Sequence, residues 1–414
     1  MNNLRPVRGT HDILPQDFRN QKFVSDLACK ISLLYGFEEM TPPVFEFTEI
    51  FDRTLGETSD VVTKEMYSFE DRGGDKITLR PEFTAGVARA FISNGLTQQV
   101  PVKFFCRGPV FRHERPQKGR LRQFHQLNVE NIGTAVPLAD IEIVALGAHV
   151  LEALGVLSKV QLKVNTLGDA ESRIAYREKL LEYLSPFQND LSTDSQKRLK
   201  VNPLRILDSK DEKDREIIVN APILSDHQNK KSREFFEEVC RGLESLNISF
   251  EIDPRLVRGL DYYTHTAFEF VTSNLGAQGA VLAGGRYDGL ISRMGGGKIP
   301  GIGWAAGIER LAIMRAAILR SQKPIAVIPV NNDLVAQALE VTQRLRLAGI
   351  PVDLGYTGNV GKRMSRANKL DCSISVIVGA DELVRSAVSV RDMETGEQRE
   401  VPIAELEKHL AQYC

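Results

Sequence analysis

The sequence changes texture once, at the polar break Arg320-Ser-Gln-Lys-Pro324. Beyond it, apolar runs alternate with amphipathic ones. Ile325–Val330 reads as a buried strand, Asp333–Leu347 as a helix and Pro351–Leu354 as a second strand; a helix over Gly361–Lys369 and a strand over Ser373–Val378 follow. Strands alternating with helices predict a small α/β domain with a largely parallel sheet. At 414 residues the chain is too long for one ordinary domain and predicts two or three, divided here into residues 1–320 and 324–414.

The longer part has a different grammar. Phe23, Leu27, Ile31 and Leu34 recur at helical spacing between Phe18 and Tyr35. Short strand-like runs follow at Lys76–Leu79, Val102–Cys106, Val110–Glu114 and Leu121–Glu130, the last two joined as a hairpin by the polar loop Arg115–Arg120. Ala139–Leu154 returns to helical spacing. From Gly168 to Asn247 charged helix formers dominate, and Ile217-Ile-Val219 and Phe235-Phe236 need burial, so this span reads as a mostly helical insertion rather than a solvated linker. Strand and glycine-rich character resumes from Phe250 to Trp304, and a helix is expected from about Gly307 to Leu319.

The net charge of -1 excludes a globally basic nucleic-acid binder but not a local basic patch. The five cysteines form no CxxC pair and the seven histidines show no HExxH spacing, which argues against structural zinc and a disulfide framework. No run of about 18 apolar residues spans a membrane, and Met1–Pro15 lacks a signal-peptide core. A cytoplasmic setting is expected.

Three segments carry candidate chemistry. On a strand beginning near Leu121, Arg122, Phe124, Gln126, Asn128 and Glu130 share one face, polar enough for either a pocket floor or a solvated hairpin edge. Arg258, Asp261, Tyr262, Tyr263 and Thr264, bounded by Val257 and Phe268, read as a strand lining a polar pocket or as a core strand anchored by a tyrosine hydroxyl. On a strand the two tyrosines would face opposite ways. Gly301-Ile-Gly-Trp-Ala-Ala306 fits a GxGxxA pattern, but no hydrophobic strand precedes it, so a dinucleotide site is not expected. Gly358-Asn-Val-Gly-Lys362 has the wrong spacing for a P-loop.

Taken in order, these segments resemble class II aminoacyl-tRNA synthetases, and specifically bacterial-type histidyl-tRNA synthetases. The likeness rests on Thr41-Pro-Pro-Val-Phe-Glu46, Phe111-Arg-His-Glu-Arg115 through Glu130, Arg258-Gly-Leu-Asp-Tyr-Tyr-Thr264, Gly284-Gly-Arg-Tyr-Asp288 and Gly301 through Leu311, with a family-like opening at Arg5–Asp12. It spans essentially the whole chain. The fold it implies is an α+β catalytic domain, an antiparallel sheet flanked by helices, with a mostly helical insertion at about 168–247 and a C-terminal α/β anticodon-binding domain.

The function it implies is activation of histidine with ATP and magnesium, then transfer to the terminal ribose of tRNA(His), by a homodimer without zinc or an organic cofactor. By the same resemblance Arg112, Arg258 and Arg310 are the catalytic cations, and Glu114 and Arg120 join Arg112 and Arg310 at ATP. Glu82, Thr84, Gln126, Glu130, Tyr262, Tyr263 and Tyr287 read histidine, with Arg112 and Arg258 beside it. Arg115, Gln117 and Lys118 approach the acceptor end of tRNA, and Lys362, Arg363 and Arg366 the anticodon. Phe83 stands where many bacterial relatives have glycine, which bears on the shape of the Glu82–Thr84 wall. A second reading is a regulatory relative similar to the accessory subunit of ATP phosphoribosyltransferase. Such a protein would be expected to lack the Arg258 segment and the C-terminal domain, and both are present.

Overall fold

The computed structural model describes residues 4–56, 61–117, 119–209, 211–258, 260, 262–275, 279–315, 319 and 323–413. Lys118 and the break residues Arg320 to Gln322 lie outside them. The chain divides into two compact units, Met1–Ile318 and Leu319–Cys414.

Among the described residues the first unit is built on an eight-stranded sheet. Its order is Glu38–Glu39, Val102–Phe111, Gln123–Ile132, Gly301–Gly307, Ala280–Arg286, Thr264–Val271, Gln161–Thr166 and Glu251–Ile252. The five inner pairings are antiparallel, and only the two edge pairings are parallel. Val102–Phe111 is one continuous strand where two short ones were expected, because Gly108 and Pro109 stay in register opposite Gln126 and His125.

Side-chain alternation sorts the sheet into two faces. Leu127, Val129, Ile302 and Trp304 join one core, covered by helices Pro15–Leu34 and Pro137–Ala153. In the first helix Val24, Ala28 and Ile31 make the buried stripe, whereas Leu34, expected in it, is exposed at the helix end. Cys106, Val110, Tyr262 and Tyr287 join a second core on the opposite face, beneath helices Thr48–Leu55 and Thr84–Ser93. Gln126, Asn128 and Glu130 point to this second face because they alternate with Leu127 and Val129.

The insertion leaves the sheet after Gln161–Thr166 and returns at Glu251–Ile252. Among the described residues it holds helices Ala170–Leu184, Thr193–Val201, Glu212–Ile218 and Lys230–Ser245, as expected. Each begins at a polar side chain, Asp169, Ser192, Asp211 and Asn229 respectively, that accepts a backbone N–H of the first turn. Its own small core includes Tyr176, Leu180, Leu199 and Ile218.

The second unit carries a five-stranded sheet in the order Val352–Leu354, Ile325–Pro329, Ile374–Val378, Ala387–Asp392, Gln398–Pro402. The first two pairings are parallel and the last two antiparallel, so the sheet is mixed rather than largely parallel. The difference arises after Val378, where the short helix Ala380–Val384 is followed by an antiparallel return as Ala387–Asp392, and a tight turn then pairs that strand with Gln398–Pro402.

Candidate active site

A cavity of about 460 Å3 opens on the second face of the large sheet. The Gln123–Ile132 strand brings Phe124, Gln126 and Glu130 to its floor. Arg122 and Asn128, expected on the same wall, do not line it. Arg122 is capped by Gly9 and donates to the Glu114 carbonyl, while the Asn128 amide donates across the sheet to the Trp304 carbonyl at 3.3 Å.

At the closed end Glu130 is almost fully buried and accepts two hydroxyls, Thr84 Oγ1 at 2.5 Å and Tyr287 Oη. Burial pushes its carboxyl up to about 7, against the pull of these donors; the nearby charge of Glu82 adds to the rise. Glu82 is also buried, accepts the Tyr262 hydroxyl at 3.0 Å and the Ala85 N–H at 3.3 Å, and is raised by burial with Arg112 opposing. The rings of Tyr262 and Tyr263 lie 4.5 Å apart, and Tyr287 meets Tyr262 edge-on at 5.8 Å. Among the described residues Gln126 Oε1 is buried without a hydrogen-bond partner. The pocket end therefore offers carboxylates, tyrosine hydroxyls and one unsatisfied acceptor, a set that suits a small polar ring with N–H groups.

The open end is cationic. Arg112 donates from Nε to the Pro81 carbonyl at 2.9 Å and lies 3.9 Å from Glu114, whose carboxylate is also paired with Arg120. Arg258 pairs with Glu269 and sits 5.4 Å over the Tyr263 ring. Burial works against its charge, but Glu269 together with Tyr263 and Tyr262 more than offsets this and holds the guanidinium above its ordinary value. Arg310 also lines the cavity. It is lowered by burial and by the neighbouring charge of Arg120. Its helix, Ile308–Arg315, is tied to the floor strand through Glu309, which accepts the His125 N–H at 3.0 Å and meets His125 Nδ1 at 2.8 Å. Three guanidinium groups facing one space suit phosphate oxygens.

The glycines of the last two motifs make room rather than bind a dinucleotide. A Cβ at Gly303 would overlap Glu130 Oε2, one at Gly301 the Tyr287 ring, and one at Gly285 would stand 2.9 Å from the Tyr263 ring. Behind them Arg286 and Asp140, both fully buried, form an ion pair that anchors the strand end next to Tyr287.

The structure thus brings together Glu82, Thr84, Arg112, Glu114, Arg120, Gln126, Glu130, Arg258, Tyr262, Tyr263, Tyr287 and Arg310 around one cavity. Three expectations change. Among their described members, residues 258–263 form no strand; the Thr264–Val271 strand begins after them, so both tyrosines turn to the same cavity. Phe83 is wholly buried beneath the Arg80 guanidinium, 4.1 Å from it, so its ring packs away from the cavity and does not line it. Arg363 is buried too: its Nη1 donates to the Pro329 carbonyl at 2.5 Å and Nη2 to the Asn332 side chain at 2.9 Å, so it holds its own unit together and presents no charge to RNA. Arg115, Gln117, Lys362 and Arg366 are exposed, with Arg366 paired to Asp353.

Two residues of this arrangement were not anticipated. Glu269 carried a signal, a carboxylate alternating with buried Phe268 and Phe270, which puts it on the opposite, pocket face. Asp208 reaches the cavity from the insertion, where it opens the charged run Asp208–Arg215, which reads as helix-forming surface rather than as a site.

The family model described as histidyl-tRNA synthetase matches residues 9–311, and the one described as anticodon binding domain matches 324–413. The chain is 58% identical to the histidine–tRNA ligase of Rhodospirillum rubrum and 49% identical to that of Gluconobacter oxydans, over 99% of each chain. The solved apo histidyl-tRNA synthetase of S. aureus superposes with a TM-score of 0.83 at 33% identity, covering 98% of this chain and 99% of that one. With the same motifs arranged around one cavity, the chain belongs to the histidyl-tRNA synthetase family.

Proposed function

We propose that this chain is a histidine–tRNA ligase whose two half-reactions run in the 460 Å3 cavity. The observation that carries the reading is the division of that cavity into a closed carboxylate-and-tyrosine end and an open end lined by Arg112, Arg258 and Arg310. Histidine's imidazole occupies the closed end, where Glu130, Glu82 and the tyrosine hydroxyls satisfy its two nitrogens. An apolar analogue would leave those buried groups unpaired, a penalty large enough for strong discrimination.

The histidine carboxylate then faces the arginines. Its oxygen attacks the α-phosphorus of ATP, a new P–O bond forms, and the bond to the β-phosphate oxygen breaks to release pyrophosphate. Arg258 bridges the carboxylate and the α-phosphate, while Arg112 and Arg310 hold the remaining phosphates. Positioning and charge stabilisation supply most of the rate in such a step. Magnesium bound with ATP would spread the phosphate charge, and Glu114 is the carboxylate at this end that would meet it. In the second step a terminal ribose hydroxyl of tRNA attacks the activated carbonyl and AMP leaves.

Arg115 and Gln117 on the exposed hairpin tip, with Lys118, meet the acceptor-end phosphates. In the second unit Lys362 and Arg366 share the exposed face of helix Val360–Lys369 and serve the anticodon arm. The enzyme works as a homodimer in the cytoplasm. Exchange of labelled pyrophosphate into ATP, measured with and without histidine, tests the assignment. Exchange that appears only with histidine supports it, and well-folded protein without such exchange overturns it.

A further inference from the structure

The residues from Leu256 to Tyr263 carry three of the proposed site side chains, yet none of the described ones lies in a helix or a strand. A segment without ladder hydrogen bonds has little intrinsic rigidity. The sheet side holds it through Asn165 Nδ2, which donates to the Leu256 carbonyl at 2.9 Å, and through Glu269 and Glu82 on Arg258 and Tyr262; the insertion holds it at both ends. At the start, Arg255 Nη2 donates to the carbonyls of Ala221 at 2.7 Å and Val219 at 3.1 Å, and its Nη1 to that of Pro222 at 3.4 Å. At the far end the direction reverses. Arg173, in the first turn of helix Ala170–Leu184, donates from Nη1 to the Tyr263 carbonyl at 2.7 Å. Between these clamps Val257 sits against the insertion's core, and the void left there is only about 30 Å3.

The turn that presents Arg173 is itself fixed. Asp169 caps it, Asn229 Nδ2 donates to the Asp169 carboxylate at 2.9 Å, and the Ser172 and Ser232 hydroxyls meet at 3.3 Å. These contacts lock helix Ala170–Leu184 to helix Lys230–Ser245, so Arg173 is delivered from a two-helix platform. Tyr263 in turn carries the Arg258 guanidinium over its ring. A shift of its carbonyl moves a recognition side chain and a catalytic one together.

We propose that the insertion is a splint for the amino-acid pocket, with Arg173 the positioning residue that sets Tyr263, so that the enzyme's hold on histidine depends on it. The inference rests on the ligase reading above. It assigns the insertion a part in the first half-reaction, before any RNA is bound. By linkage, histidine in the pocket stiffens the insertion in return.

Arg173→Ala removes a charge-assisted hydrogen bond and orphans the Tyr263 carbonyl, so KM for histidine in pyrophosphate exchange rises about tenfold or more. KM for ATP changes much less, because Arg112 and Arg310 keep their hold on the phosphates, the thermal midpoint stays close to wild type, and Arg173→Lys, which retains a donor, recovers part of the loss. Arg177→Ala, one exposed turn further along the same helix, serves as the unchanged control. An unaltered histidine KM in folded Arg173→Ala, or histidine and ATP constants rising together without rescue by lysine, overturns the proposal. A second measurement needs no variant: saturating histidine slows tryptic cleavage within residues 168–247 of the wild-type protein, and cleavage indifferent to histidine likewise overturns it. Wild-type protein inactive in exchange would instead remove the ligase reading, so the two failures are distinguishable.

Discussion

Glu130 and Gly303 face each other across two neighbouring inner strands of the catalytic sheet, and a Cβ at Gly303 would overlap the Glu130 carboxylate. The glycine is therefore a specificity element without a side chain. Gly303→Ala forces Glu130 from its place between Thr84 and Tyr287, with an overpacking cost of about 1–3 kcal/mol. Steady-state exchange should show histidine KM rising well before ATP KM; an unchanged histidine KM would mean that the carboxylate's position is not critical.

Glu130 also makes stability depend on pH. Its folded carboxyl is raised to about 7, above the ordinary 4.5. Between those values the folded state holds a proton that the unfolded state releases, so this group's contribution is present below about 4.5 and is lost as pH rises towards 7. The loss is on the order of 3 kcal/mol. In ligand-free protein, Glu130→Gln should gain stability relative to wild type as pH is raised from 5 to 8, measured by urea unfolding. A gap that is flat with pH would contradict the raised carboxyl.

Arg258→Ala should lower adenylate formation roughly a hundredfold or more, by analogy with loss of other preorganised charge donors. The variant should stay folded, because Glu269 is partly exposed and regains water. Near wild-type exchange would take Arg258 out of the chemistry.

Breaking the Arg286–Asp140 pair is a different matter. Both side chains are fully buried, and Asp140→Ala leaves the Arg286 guanidinium to the partly exposed Asp288 at 3.0 Å and the Thr134 carbonyl, without its buried counter-charge. A loss of about 3–5 kcal/mol is expected in denaturant unfolding, with weaker histidine binding because Tyr287 adjoins Arg286.

In the C-terminal unit, neighbours on one helix should behave oppositely. Arg363→Ala removes two internal hydrogen bonds and destabilises that unit by roughly 2 kcal/mol. Lys362→Ala should leave the melting curve alone and raise KM for tRNA. A tRNA defect in Arg363→Ala without loss of stability would reverse this assignment.

Local sequence was enough where chemistry follows local geometry. Period-two spacing placed Gln126 and Glu130 on one face, and charged helix formers around half-buried Ile217 and Phe235 marked the insertion. It misled where a neighbour decides. Arg363 reads as one more helix cation until the Pro329 carbonyl claims it. Tyr262 and Tyr263 read as opposed strand residues until the segment proves to be held as a loop. The C-terminal hairpin was not anticipated, because nothing local separates a returning strand from a crossover.

By itself, then, the sequence determined the motifs, the order in which they occur and the family they resemble, since each motif is a run of adjacent residues. Only the tertiary structure decided which of them share a cavity, why Gly301 and Gly303 must lack side chains, and how Arg173 reaches Tyr263 from ninety residues away. Those are distances between segments remote in the chain. They are set by sheet register and burial, which no stretch of sequence carries alone.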